Sequence, residues 1–169
     1  MLKMKKITKS NKKFFLKGIL PLLLLLSFSF NPLEVSAEVA ETEINGELII
    51  ASSEFLRDLD FETWQLVAYK SSLYEDKLIL RVIGYPGNLR VDHPTELRVE
   101  SGRKQWLLED KTLLNVELAN DRRQAAAEFD LDDLVKNIDK NRPLRLSLSG
   151  VFSDLPVPPF VVKEWRSLS

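Results

Sequence analysis

The chain has 169 residues with 24 basic and 25 acidic side chains, one histidine and no cysteine. The missing thiol excludes disulfides, cysteine zinc sites and a lipid anchor on an N-terminal cysteine. Seven basic residues and one acidic residue lie in the first 37 positions, so the other 132 carry 17 basic and 24 acidic side chains, net −7; such a balance disfavours nucleic acid and anionic lipid as partners.

The first 37 residues have the form of an export signal. Lys3, Lys5, Lys6, Lys9, Lys12, Lys13 and Lys17 precede an apolar run from Ile19 to Phe30, and Val35-Ser36-Ala37 follows with small residues for a signal peptidase. The run is 12 residues long, against about 20 for a spanning helix, and Pro21 interrupts it near its start. Cleavage after Ala37 is expected, with no stable membrane anchor left. Glu38–Gly46 is acidic and short of large apolar residues, and is expected to be a flexible leader. Residues 47–169 are then long enough for one domain with its own core.

Within that domain, short segments alternate with period two. Trp64, Leu66 and Ala68 share one face of a predicted strand, with Gln65, Val67 and Tyr69 opposite. Lys77–Ile83 puts Leu78, Leu80 and Val82 on one face and Ile79, Arg81 and Ile83 on the other, which predicts a strand covered on both sides. Gly84-Tyr85-Pro86-Gly87-Asn88 stops it, because proline fixes φ and glycine permits positive φ. Asp92-His93-Pro94 begins a further turn. Glu96–Glu100 leads through Ser101-Gly102 into Arg103–Glu109 as a hairpin that sets Leu97 opposite Trp106. Gln124–Phe129 alternates again, with Ala125, Ala127 and Phe129 on one face. One short helix follows: Asp130 accepts from first-turn amides, Asp132 and Asp133 suit its positive end, and Leu131, Leu134, Val135 and Ile138 form an apolar stripe. Arg142-Pro143 ends it. Leu144, Leu146 and Leu148 face inward from the next strand, Asp154–Pro159 reads as a proline-stiffened link, and Phe160–Arg166 reads as the last strand. The fold class predicted is mainly β, an antiparallel β-sandwich with one short crossover helix, the alternative being a partly open barrel.

Reactive constellations are sparse. His93 has Asp92 beside it, but neighbours on an extended segment point apart, and no Gly-x-Ser-x-Gly elbow is present; His93 reads as a turn residue, and no catalytic residue is assigned. Asp58, Asp60 and Glu62 have alternate spacing that calcium could use, yet Thr63 stands where a calcium loop needs glycine. They read as the wet face of a strand or turn with Leu59 and Phe61 inward. Asp130, Asp132 and Asp133 are explained by the helix start. No metal and no cofactor is expected. Trp64 and Trp106 are expected in the core, whereas Trp165, flanked by Lys163, Glu164 and Arg166, could be a rim aromatic on a charged strand. Lys163, Trp165 and Arg166 are therefore the expected partner-binding residues.

Two stretches carry a resemblance: Leu80-Arg81-Val82-Ile83-Gly84-Tyr85-Pro86-Gly87 with Asp92-His93-Pro94 and Leu97, and Val157-Pro158-Pro159-Phe160-Val161-Val162-Lys163-Glu164-Trp165-Arg166. With Phe129-Asp130-Leu131 and Leu144-Arg145-Leu146 between them, they resemble a family of small exported cyanobacterial proteins, a domain of unknown function. The resemblance spans about Trp64 to Arg166; Lys111–Ala126 is longer and more polar than the family pattern. It implies the periplasm or the thylakoid lumen, and assigns no catalytic residue. Gly84, Pro86, Gly87, Asp92, His93 and Pro94 are its turn motif.

The expectation from sequence is an exported, non-enzymatic accessory or binding domain that docks on a protein. A small apolar-ligand carrier ranks second and a hydrolase using His93 third.

Overall fold

Two antiparallel sheets share one core in a computed structural model that describes residues 39–44, 47–84, 91–121 and 125–169. The expected signal at residues 1–37, and the turn residues Pro86 and Gly87, lie outside the described residues. The first sheet has the order β1-β2-β3-β4-β7, with β1 Val39–Ile44, β2 Glu47–Arg57, β3 Thr63–Ser71, β4 Lys77–Ile83 and β7 Ala126–Asp130. The second has the order β6-β5-β8-β9, with β5 Glu96–Ser101, β6 Lys104–Glu109, β8 Leu144–Leu148 and β9 Phe152–Val157. The described residues also form three short α-helices, α1 Val116–Ala119, α2 Asp132–Asn137 and α3 Pro159–Leu168. Among the described residues the fold is mainly β and sandwich-like, with no closed barrel.

Strand parity decides what the core contains. Trp64, Leu66, Ala68, Leu78, Leu80, Val82, Ala127 and Phe129 come from the inner face of the first sheet. Leu97, Val99, Leu108, Leu144, Leu146, Leu148, Leu155 and Val157 come from the second. Leu131, Leu134, Val135 and Ile138, the stripe read from sequence, seat α2 in the same cluster. Asp130 Oδ1 accepts from the Asp132 amide at 3.1 Å, as its position before the helix predicts. The helix ends at Asn137, well before Arg142-Pro143.

Four local expectations are corrected. The leader is partly a strand: Val39–Ile44 pairs antiparallel with β2, and exposed Glu41 and Glu43 are the charges that keep a sheet edge from recruiting another chain. The β5–β6 turn is Gly102-Arg103, one residue later than read, because Gly102 takes φ 62° at the first turn position. Val99 therefore faces Trp106 and Leu97 faces Leu108; the slip of two in register keeps the faces, and Trp106 is half-buried against the core. Asp154–Val157 belongs to a strand and not to a link: β9 is a sheet edge, where Pro156 is tolerated opposite Arg145.

The fourth correction is the C-terminal segment. Phe160–Arg166 is helix and not strand. Pro159 opens α3, where its fixed φ suits the first turn and no amide bond is lost, and the Pro158 carbonyl accepts from the Val161 and Val162 amides at 3.1 and 3.3 Å. Val161, Val162 and Trp165 recur at helical spacing and are fully buried. Their burial outweighs the local β preference of the two valines. Trp165 is 0% exposed, so it is a core residue and not a rim aromatic. Trp165→Ala should then cost about 3–5 kcal/mol of stability in urea unfolding. Lys163→Ala, at an exposed position, should stay within about 0.5 kcal/mol of the parent.

Candidate functional site

The outer face of the first sheet is also covered, as the sequence of β4 predicts. Ala51, Val67, Tyr69, Tyr74 and Ile79 form a second, smaller apolar cluster there, with Ile49 and Ile83 against it. Beside this cluster sits Glu128, 0% exposed, on β7 directly opposite Arg81 of β4. Arg81 Nε donates to Glu128 Oε1 at 2.7 Å, and its second nitrogen approaches the same oxygen at 2.6 Å. The Tyr69 hydroxyl donates to Oε1 and the Tyr74 hydroxyl to Oε2. The Asn115 amide lies 3.3 Å from both oxygens. The Arg81 guanidinium also lies 5.4 Å from the Tyr69 ring centroid.

These contacts fasten a segment of chain onto the sheet. The 3₁₀ turn Thr112–Leu114 lies against β7 there, and helix α1 follows it. Glu128 N donates to Thr112 Oγ1 at 2.9 Å, and Lys111 N donates to the Glu128 carbonyl at 2.7 Å. Asn115 Oδ1 caps α1 by accepting from the Glu117 and Leu118 amides. Thr112 and Asn115 are buried. Leu113, Leu114 and Val116 point the other way and are 58%, 58% and 71% exposed.

His93 finds its carboxylate in Asp110 and not in Asp92. Its Nδ1 lies 2.7 Å from Asp110 Oδ2, which also accepts from the Thr95 amide at 2.9 Å, while Oδ1 accepts from the Thr112 amide at 2.9 Å. Burial alone would raise the Asp110 pKa; the bonds from Thr112, His93 and Thr95 outweigh it and hold the acid below the usual aspartate range. The pair staples the His93-Pro94 turn, which contains a cis peptide bond, to the start of the covering segment.

The remaining turn-motif residues are plainer. Gly84 ends β4 by donating to the Ala125 carbonyl at 2.7 Å, and Asp92 and Pro94 are exposed. Of the expected partner-binding residues, Lys163 is exposed and Arg166 half-exposed, donating to Asn141 Oδ1 at 2.6 Å, whereas Trp165 is enclosed. The structure does not bring the three together as a surface.

Asp58, Asp60 and Glu62 do not converge. Asp58 is buried and accepts from the Asp60 and Glu62 amides and from Trp64 Nε1, each at 2.9 Å. Leu59 and Phe61 face solvent, the reverse of the sequence reading. Phe61 takes φ 66°, which breaks strand parity at that point. Among the described residues no group of three metal-ligating side chains is placed to hold an ion.

A family model for a protein of unknown function (DUF3122) matches residues 37–168. The chain belongs to the DUF3122 family. No curated protein and no solved structure matches it. In this DUF3122 domain, the Glu128 network was not read from the sequence. Arg81 between Ile79 and Ile83, and Glu128 beside Ala127 and Phe129, are the signals that could have found it, since a buried cation demands a buried anion.

Two outcomes test the network. Glu128→Gln removes the carboxylate that Arg81, Tyr69 and Tyr74 meet and should destabilise the domain by about 3–5 kcal/mol, read by chemical unfolding. Burial first, and then the adjacent Glu128, push the Tyr69 and Tyr74 pKa values far above the tyrosine value of 10.0 that they have in an unfolded chain. Their contribution to stability is complete below pH 10 and is lost as the pH rises above it. The unfolding midpoint should thus fall steeply on the alkaline side, and less steeply in Tyr69→Phe.

Proposed function

We propose that this protein is an exported, non-enzymatic accessory domain that docks on a protein partner. The observation that carries the reading is the covering segment. Thr112 and Asn115 are buried and hydrogen-bonded beneath it, while Leu113, Leu114 and Val116 are displayed to solvent. A loop whose only task was to shield Glu128 would do so with polar residues outward. Three apolar side chains on a clamped support give up little entropy when a partner covers them. This segment takes the place of the C-terminal residues as the expected docking surface.

Export into the periplasm or thylakoid lumen of a cyanobacterium is part of the same proposal. The lysine-rich start, the apolar run and Val35-Ser36-Ala37 support it, as does the start of the family match at residue 37, where the signal is expected to end. The net charge of −7 beyond the signal favours a protein over an anionic membrane surface.

The test is crosslinking in source cells with a C-terminally tagged chain, followed by mass spectrometry of the exported fraction. A mature start at Glu38 and one partner at near-equal stoichiometry are expected. Leu113→Ser combined with Leu114→Ser and Val116→Ser should keep the melting temperature and reduce capture about tenfold. Undiminished capture by this folded variant would remove the segment from the interface.

A further inference from the structure

The β2–β3 connection carries a second display, built on different supports. Asp58 closes it from inside: its carboxylate takes the Asp60 and Glu62 amides and the Trp64 indole, each at 2.9 Å. The main chain closes it again, with Asp58 N on the Glu62 carbonyl at 3.1 Å and Phe61 N on the Asp58 carbonyl at 3.2 Å. Trp64 is itself fixed in the core, its ring edge-on to Phe152 at 4.8 Å. The turn is therefore held to the core.

On this support Leu59 is 63% and Phe61 80% exposed. Phe61 takes the left-handed backbone at φ 66°, a conformation that glycine or asparagine adopts more readily. A bulky side chain there strains the backbone, and its exposure shows that the ring returns almost no packing to its own domain. Strain held at a fixed, solvent-facing aromatic is a feature of recognition sites.

The neighbours define what would cover it. Asp60 and Glu62 flank Phe61 and are exposed. Asp60 also lines a groove of about 1140 Å³ on the solvent face of the second sheet, together with Glu96, Arg98, Glu109 and Ser147. Glu96 and Glu109 stand directly opposite each other on β5 and β6, and Lys111 at 2.7 Å from Glu109 offsets only part of that repulsion. The two residues that flank the ring in the chain are both acidic, which repels anionic lipid and attracts lysine and arginine.

We infer that Leu59 and Phe61 form a preorganised anchor for an apolar pocket, rimmed by lysine or arginine, on a protein partner. The inference rests on the reading of the domain as a docking module, but on an independent surface.

The test places photoreactive benzoylphenylalanine at position 61 of the full chain, and separately at position 114, in source cells. The anchor requires that position 61 crosslink to one protein, through a peptide in which apolar residues adjoin lysine or arginine. Reversing the flanking charges with Asp60→Lys and Glu62→Lys should lower that yield at least tenfold. Phe61→Gly should raise the melting temperature by relieving the backbone while abolishing capture, a pairing that a purely structural Phe61 would not give. Crosslinks to lipid alone, or yields indifferent to charge reversal, overturn the anchor. Capture from position 114 with none from 61 refutes the anchor and leaves the docking reading standing; silence at both refutes the two together.

Discussion

One carboxylate, that of Glu128, organises the outer side of this domain. It is fully enclosed, and an enclosed carboxylate is costly unless its oxygens are met by donors of good geometry. Arg81 supplies the counter-charge across the β4–β7 pair, and Tyr69, Tyr74 and Asn115 supply the rest. The residues come from β3, from the β3–β4 turn, from β4, from β7 and from the segment before α1. Two stretches of chain distant in sequence, one holding Tyr69, Tyr74 and Arg81 and the other Asn115 and Glu128, are thus held to one point. The covering segment has few apolar contacts of its own to hold it down, so its position depends on this network.

The same arrangement recurs at two other turns on a smaller scale. Asp110 gathers His93, Thr95 and Thr112, and Asp58 gathers Asp60, Glu62 and Trp64. Asp110 and Asp58 fix their turns by accepting from main-chain amides, Glu128 by accepting from side chains, and beside Glu128 and Asp58 apolar side chains face outward. Around Glu128 these are Leu113, Leu114 and Val116; around Asp58 they are Leu59 and Phe61.

What the sequence revealed follows from the range of the interactions. Period-two alternation is local, so the inward faces of β3, β4, β7 and β8 were legible, and so was the buried stripe of α2. Single positive-φ residues broke that legibility. Gly102 moved the hairpin turn by one position, and the turn that ends at Phe61 put Asp58 inside and Leu59 and Phe61 outside. Phe160–Arg166 misled because its valines favour strand, whereas Pro159 and the 161, 162, 165 spacing favour helix; the core decided between them. The Glu128 network was the least visible, because Tyr69 lies 59 residues from the glutamate it meets, and only pairing of β4 with β7 brings Arg81 opposite it.

The central claim, that Glu128 clamps the covering segment to the sheet, is most directly tested by native-state hydrogen exchange on the intact protein. The informative amides are Lys111, bonded to the Glu128 carbonyl, Glu128, bonded to Thr112, and Asn115, bonded to the Thr112 carbonyl. If the clamp holds, all three exchange with an opening free energy close to that of global unfolding, together with β4 and β7. Lys111 and Asn115 exchanging with an opening free energy near zero, while β4 and β7 stay protected, would show a loose flap and contradict the account.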